Sequence, residues 1–203
     1  MNVAEREDML IFVDTANLND IEEALKRGFV SGITTNPSLL AKEPRANFEK
    51  HIGRIVELVL QYAPGIHLSV EVFSDSPEVI LKQAKHFKKV FGYEELGVKV
   101  HIGWNELGVI KALSEEGIAV NCTANMKITQ AVMAAVVGAR FVSLFVNRIK
   151  DSGIEVLNER ILSCIEFIKE AGSETARNEL TQKLDWLTHH LKNSVEAMRD
   201  GSL

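Results

Sequence analysis

The stretch ELGVKVHIGWNELG, Glu95 to Gly108, decides how the chain is read. Leu96 to Ile102 is a short apolar run of strand type, yet Lys99 stands in its middle. Lysine forms strands poorly and is almost never fully buried without a partner. Successive strand residues face opposite ways, so Val98 and Val100 share one face while Lys99 and His101 share the other. A charge placed on one face of an otherwise apolar strand asks what that face looks onto.

The same grammar recurs on both sides. Further β-rich runs are LIFVDT (Leu10–Thr15), VSGITTN (Val30–Asn36), HLSVEVF (His67–Phe73), IAVNCTA (Ile118–Ala124) and RFVSLFVNRI (Arg140–Ile149). Between them lie amphipathic segments at Asn19–Lys26, Ala46–Gln61, Pro77–Phe91, Glu106–Glu115 and Lys127–Val137. Asn17, and Ser76 before Pro77, are helix-start signals, and Gly28, Gly117 and Gly138 are helix-stop signals. Strand and helix in alternation imply βαβ units and a parallel sheet. One strand parity collects Val13, Ile33, Val70, Val72, Val98, Val100, Val120, Cys122, Val142, Leu144 and Val146. The other collects Asp14, Thr34, Asn36, Ser69, Glu71, Lys99, His101, Asn121, Thr123, Ser143, Phe145 and Asn147. An antiparallel sheet with one wet face alternates likewise, but it leaves the helical segment after nearly every strand unexplained. A closed parallel barrel accounts for both, with helices coating the apolar face and polar groups gathered at the carboxyl mouth.

Composition narrows the function. In 203 residues, 46% hydrophobic and 25% charged, there is material for a sizeable core, and one domain spanning 1–203 is expected. A net charge of −5 without a basic patch argues against nucleic acid. The longest apolar stretch, Ala131–Val146, is broken by Gly138 and Arg140 and is too short to span a bilayer, so no membrane association is expected. MNVAEREDM carries acids where an export signal needs a basic region, and Cys122 and Cys164 form no metal pattern; a cytoplasmic setting is expected. His189 and His190 have no third ligand nearby in sequence, so neither a metal nor any other cofactor is expected.

Inside a barrel an amine loses hydration, which disfavours its charged form. A neutral amine is the form that attacks a carbonyl to make a Schiff base. Taken alone, Lys99 could equally be half of a buried ion pair with Asp14 or Glu71. The Asp, Glu, Asn and Thr side chains that other strands turn to the same space favour the nucleophile.

The motifs FVDTANLNDIEEAL (Phe12–Leu25), SGITTNPSLLAKE (Ser31–Glu43), LSVEV (Leu68–Val72), GVKV with the downstream helix to Leu113, GIAVNCT (Gly117–Thr123) and QAVMAAVVGARFVSLFVNRI (Gln130–Ile149) follow one another in order. On these the chain resembles the transaldolase family, in the short microbial branch that includes fructose-6-phosphate aldolase. The resemblance implies a (β/α)8 TIM barrel and class I aldol chemistry within the pentose phosphate pathway. Lys99 would form the Schiff base with a ketose phosphate, and Asp14 would be the general acid/base at the C4 hydroxyl. Glu71 and Thr123 would hold a water that shuttles protons. Asn36 and Asn121, with Ser143 and Phe145, would contact the sugar, and Arg148 would bind its phosphate. Glu71 and Phe145 match transaldolases; VNRI (Val146–Ile149) is closer to the aldolases.

The likeness is incomplete. His101-Ile102-Gly103-Trp104 replaces a usual Pro followed by a Thr-containing turn, and Ala124-Asn125-Met126 replaces an apolar pair and an aromatic. After a helix at Ile154–Ala171, Ser173–Arg199 reads as helix throughout, so strands seven and eight are not visible and a helical segment of about 174–203 closes the chain. If they are absent, a catalytically weak relative with a structural or regulatory role is the alternative to a transaldolase; a fructose-6-phosphate aldolase, on the VNRI run, is another. The apolar stripe of the final helix, and the resemblance, point to a homo-oligomer of pentameric or decameric type.

Overall fold

The computed structural model describes residues 10–44, 47–145 and 148–149. Six parallel strands follow chain order across one sheet: β1 (Phe12–Asp14), β2 (Gly32–Thr34), β3 (His67–Glu71), β4 (Leu96–His101), β5 (Val120–Asn125) and β6 (Phe141–Leu144). Helices α1 (Leu18–Lys26), α2 (Pro37–Leu40), α3 (Phe48–Tyr62), α4 (Pro77–Phe91), α5 (Trp104–Glu115) and α6 (Ile128–Val136) occupy the connections. This is the β/α architecture the sequence implies: a partial (β/α) barrel. Strands seven and eight, and the helices expected at 154–171 and 173–199, fall outside the described residues.

Each helix forms for local reasons. The side chain of Asn17 accepts from the N–H groups of Asn19 and Asp20, satisfying two of the donors a helix start leaves free. Asn47 does the same for α3, which fixes that helix start at Phe48. Pro77 takes the first position of α4, where no N–H is missed. Gly28, Gly117 and Gly138 adopt φ of +73°, +74° and +99° just past their helices. The buried stripes Ile21 and Leu25, Ile52, Ile55 and Val59, Ile80, Ala84 and Phe87, and Val109, Ile110 and Leu113 pack on the outer face of the sheet. There they meet Ile33, Leu68, Val70, Leu96, Val98, Val100, Val120 and Cys122, all without solvent exposure. Each such side chain contributes about 1.5–3 kcal/mol on leaving water.

The inner face is different. Phe12, His67 and Phe141 form its floor, with Phe12 stacked on His67 at 5.7 Å between centroids, Phe141 edge-on to Phe12 at 5.1 Å, and His67 against Phe141 at 4.5 Å. Rings from β1, β3 and β6 therefore touch, which shows how strongly the sheet curls. Glycines make the room. A Cβ on Gly32 would lie 2.8 Å from the Phe12 ring, and one on Gly97 2.9 Å from Nε2 of His67.

Most strands are shorter than their runs, and three features depart further from the sequence reading. The sixth strand ends at Leu144, not Ile149: its pairing with β5 stops at Asn125↔Leu144, and Arg148 and Ile149 are helical, the Ile149 N–H donating to the carbonyl of Phe145 at 2.9 Å. The short helix α2 lies outside the helical segments marked in the sequence, and the Asn36 side chain caps it. In β5 the register slips by one residue between Cys122 and Asn125, with Ala124 at φ 62°. The Asn125 amide turns back to the carbonyls of Cys122, at 2.8 Å, and Ser143, at 3.3 Å, supplying partners at the bulge.

Candidate active site

β4 delivers Lys99 to the inner face with only 9% of its side chain exposed. Its Nζ lies 3.6 Å from a carboxylate oxygen of Glu71, on the neighbouring strand β3, and 4.0 Å from Asp14 on β1. Both are ion-pair distances rather than hydrogen bonds. In-register pairing of Glu71 with Lys99 explains the first contact. The second depends on sheet curl. The Thr34 hydroxyl donates to Asp14 at 2.7 Å, holding the carboxylate while more than half of its side chain stays open to solvent.

Burial raises the pKa of Glu71 above the ordinary carboxylate value, while the nearby Lys99 charge, and to a lesser degree His101, pull it back. A carboxyl placed this way holds its proton to a higher pH than a solvated one. Asn121 and Thr123 arrive from β5. Asn121 donates to Ser69 at 3.2 Å and accepts from the Ser143 hydroxyl at 2.8 Å. Thr123, 2% exposed, has a buried hydroxyl with no hydrogen-bond partner. A buried hydroxyl left unpaired costs free energy.

These groups line one cavity of about 540 Å³, within the range of small-molecule sites. Asp14, Thr34, Lys99, Asn121, Thr123, Ser143 and Phe145 contribute to its wall, beside the floor rings Phe12 and Phe141. Glu71 joins through its contact with Lys99. Two residues expected at the site stand apart. Asn36 spends its side-chain oxygen on the N–H of Leu39, at 2.9 Å, and is not part of the wall. Arg148 is exposed and also lies outside the wall. Asn36 thus acts as a helix cap, and its amide nitrogen is the part left for a ligand.

Three contributors carry no role in the sequence reading. Thr34 has the inward parity but no motif of its own. Ser69 likewise shares the parity of Glu71. Glu106, in the first turn of α5, is buried, and its carboxylate lies 3.7 Å from His101. Only three-dimensional proximity reveals that last pair, although a Glu at the third position of a helix is a recognisable start signal. Among the described residues no group of three or more His, Cys, Asp or Glu could hold a metal ion, and no helix is long and apolar enough to cross a membrane. An amine excluded from water between two carboxylates, one of them with raised proton affinity, can attack a carbonyl and move protons around the product.

Comparison with known proteins finds relatives over most of the chain. A protein of Dehalococcoides mccartyi named "Probable transaldolase" is 37% identical over 82% of this chain and 74% of its own length. Another of that name from Alkaliphilus metalliredigens is 39% identical over the same shares. Among solved structures, 7,8-dihydropteroate synthase from Vibrio fischeri superposes with a TM-score of 0.53 at 13% identity, over 81% of this chain and 67% of its own, a likeness of fold alone. The profile of the family described as Transaldolase/Fructose-6-phosphate aldolase matches residues 11–199, and the chain belongs to that family.

Proposed function

We propose that the protein is a class I, Schiff-base-forming transaldolase. Lys99 Nζ adds to the C2 carbonyl of a ketose phosphate, fructose 6-phosphate or sedoheptulose 7-phosphate, and loss of water leaves a protonated imine. Asp14 takes the proton of the C4 hydroxyl, the C3–C4 bond breaks, and its electron pair flows into the imine to give an enamine. The aldose phosphate departs. A second aldose phosphate accepts the enamine carbon at its aldehyde, Asp14 returns the proton to the new hydroxyl, and water releases the product from Lys99. Glu71 and Thr123 hold the water used in carbinolamine formation and breakdown, for which a carboxyl of raised pKa is a suitable acid. Asn36, Asn121 and Ser143 bind sugar hydroxyls beside Phe145, and Arg148 offers a forked donor to phosphate. The reaction needs no cofactor, and we place it in a cytoplasmic homo-oligomer.

One observation carries this reading: Lys99 Nζ is enclosed between Asp14 and Glu71 at the wall of the cavity. Borohydride reduction in the presence of fructose 6-phosphate should trap a sugar on Lys99, and Lys99→Ala should abolish the adduct. Absence of an adduct at saturating ketose sinks the proposal. The run Val146–Ile149 favours simple cleavage instead. Turnover of fructose 6-phosphate that is indifferent to added erythrose 4-phosphate would establish that second reading.

A further inference from the structure

His67 opens β3 on the floor of the inner face, 4% exposed, wedged between the Phe12 and Phe141 rings. Filling space there calls for no nitrogen. Burial of the imidazole pushes its pKa down to about 4, and its Nδ1 has no hydrogen-bond partner. A phenylalanine would avoid both penalties. What the imidazole adds is Nε2, 2.7 Å from the hydroxyl of Ser69.

That contact begins a chain across three strands. The Ser69 oxygen accepts from the amide of Asn121 at 3.2 Å, and in the neutral His67 tautomer that carries its hydrogen on Nδ1 the Ser69 proton goes to Nε2. The Ser143 hydroxyl donates to the other end of the same amide, at 2.8 Å. Asn121 is therefore held with its carbonyl towards β6 and its nitrogen towards β3. One amide hydrogen is used on Ser69; the second remains for the cavity that Asn121 lines. Without an acceptor at His67, Ser69 can turn its own proton towards Asn121, and either amide orientation then satisfies the pair.

We propose that His67 is a positioning residue: through Ser69 it fixes the Asn121 carboxamide so that an N–H, not the carbonyl, meets a sugar hydroxyl. This rests on the substrate role given to Asn121 above. It goes beyond that role in making the floor of the barrel part of substrate recognition.

The test uses the full-length protein with fructose 6-phosphate and erythrose 4-phosphate. His67→Phe keeps a ring and removes Nε2, and His67→Gln puts back an acceptor. His67→Phe is expected to lower kcat/KM about 5- to 20-fold, the worth of one oriented neutral hydrogen bond, while borohydride still traps sugar on Lys99. Ser69→Ala should give the same loss, and the double variant no more than either alone. His67→Gln should recover part of the activity. An unchanged kcat/KM in His67→Phe, additive losses in the double variant, or no recovery with glutamine would overturn the proposal. Should His67→Phe fail to fold, Ser69→Ala and His67→Gln still report on the relay. Imidazole nitrogen NMR shifts read it without turnover: an Nδ1–H tautomer with Nε2 as acceptor supports it, and the opposite tautomer overturns it. No adduct on the unaltered protein would remove the Schiff-base reading and with it the substrate role of Asn121, whatever the tautomer.

Discussion

Replacing Gly97 by alanine adds one methyl group to β4 and tests how tightly the barrel floor is packed. The new Cβ would lie 2.9 Å from Nε2 of His67, nearer still to Cε1, and 3.3 Å from the carbonyl oxygen of Ala119. Non-bonded carbons prefer about 3.5–4.0 Å, so the imidazole must withdraw by roughly an ångström. It has little space to do so, with the Phe141 ring centred 4.5 Å away. Overpacking of this kind costs about 1–3 kcal/mol. Breaking the His67–Ser69 hydrogen bond adds about 1 kcal/mol, while the lower chain entropy of alanine returns about 0.5–1 kcal/mol. The net expectation is a loss of about 1–3.5 kcal/mol, or roughly 2–14 °C in Tm for a chain of this size. Urea denaturation followed by circular dichroism measures it. Gly108→Ala on α5 is the control, because nothing lies within 4 Å of its added Cβ. There the same chemical change should stabilise by about 0.5–1 kcal/mol. If Gly97→Ala proves as stable as Gly108→Ala, the floor is not close-packed.

Two further perturbations address the site and its rim. Burial raises the pKa of Glu71, so its contribution to stability is complete below the ordinary carboxylate value of 4.5 and is lost as pH rises through the folded value. Glu71→Gln, neutral throughout, should therefore gain stability relative to the unaltered protein as pH rises above 4.5, while losing turnover; a stability difference that does not change with pH contradicts the assignment. At the bulge in β5, Ala124 adopts φ 62°, which costs an L-residue about 1–2 kcal/mol. Ala124→Gly relieves that strain against about 0.5–1 kcal/mol of added chain entropy, so a small rise in midpoint denaturant concentration is expected and a fall would show the backbone is not strained there.

Much of the fold is legible in strand parity. Val98 and Val100 bury outward and Lys99 turns inward because strand geometry allows nothing else, and the same rule places Asp14, Thr34, Ser69, Asn121 and Thr123. Helix α2 escapes such a reading because Asn36-Pro37 is equally good at starting a turn and a helix; only the Asn36-to-Leu39 hydrogen bond separates them. The sixth strand is shorter than its apolar run, since such a run does not reveal where its partner stops pairing. Ala124 gives no warning of a left-handed backbone, as alanine rarely adopts one. His67 carries no role in the sequence reading: its neighbours Phe12 and Phe141 lie far away in sequence, so the ring stack and the Ser69 contact have no local signature.

The sheet keeps its strands in the order of translation, and this bears on how the molecule comes into being. Phe12 pairs with Gly32, Gly32 with His67, Leu68 with Leu96, Val98 with Val120 and Asn121 with Phe141. Every ladder thus joins segments separated by about one strand-and-helix unit, and loop closure over such spans is inexpensive in entropy. After β1, each described strand pairs with one made before it, an order that permits vectorial growth, one strand and its helix at a time. The last of the described strands to arrive, β6, meets a surface whose curvature four earlier ladders have already settled.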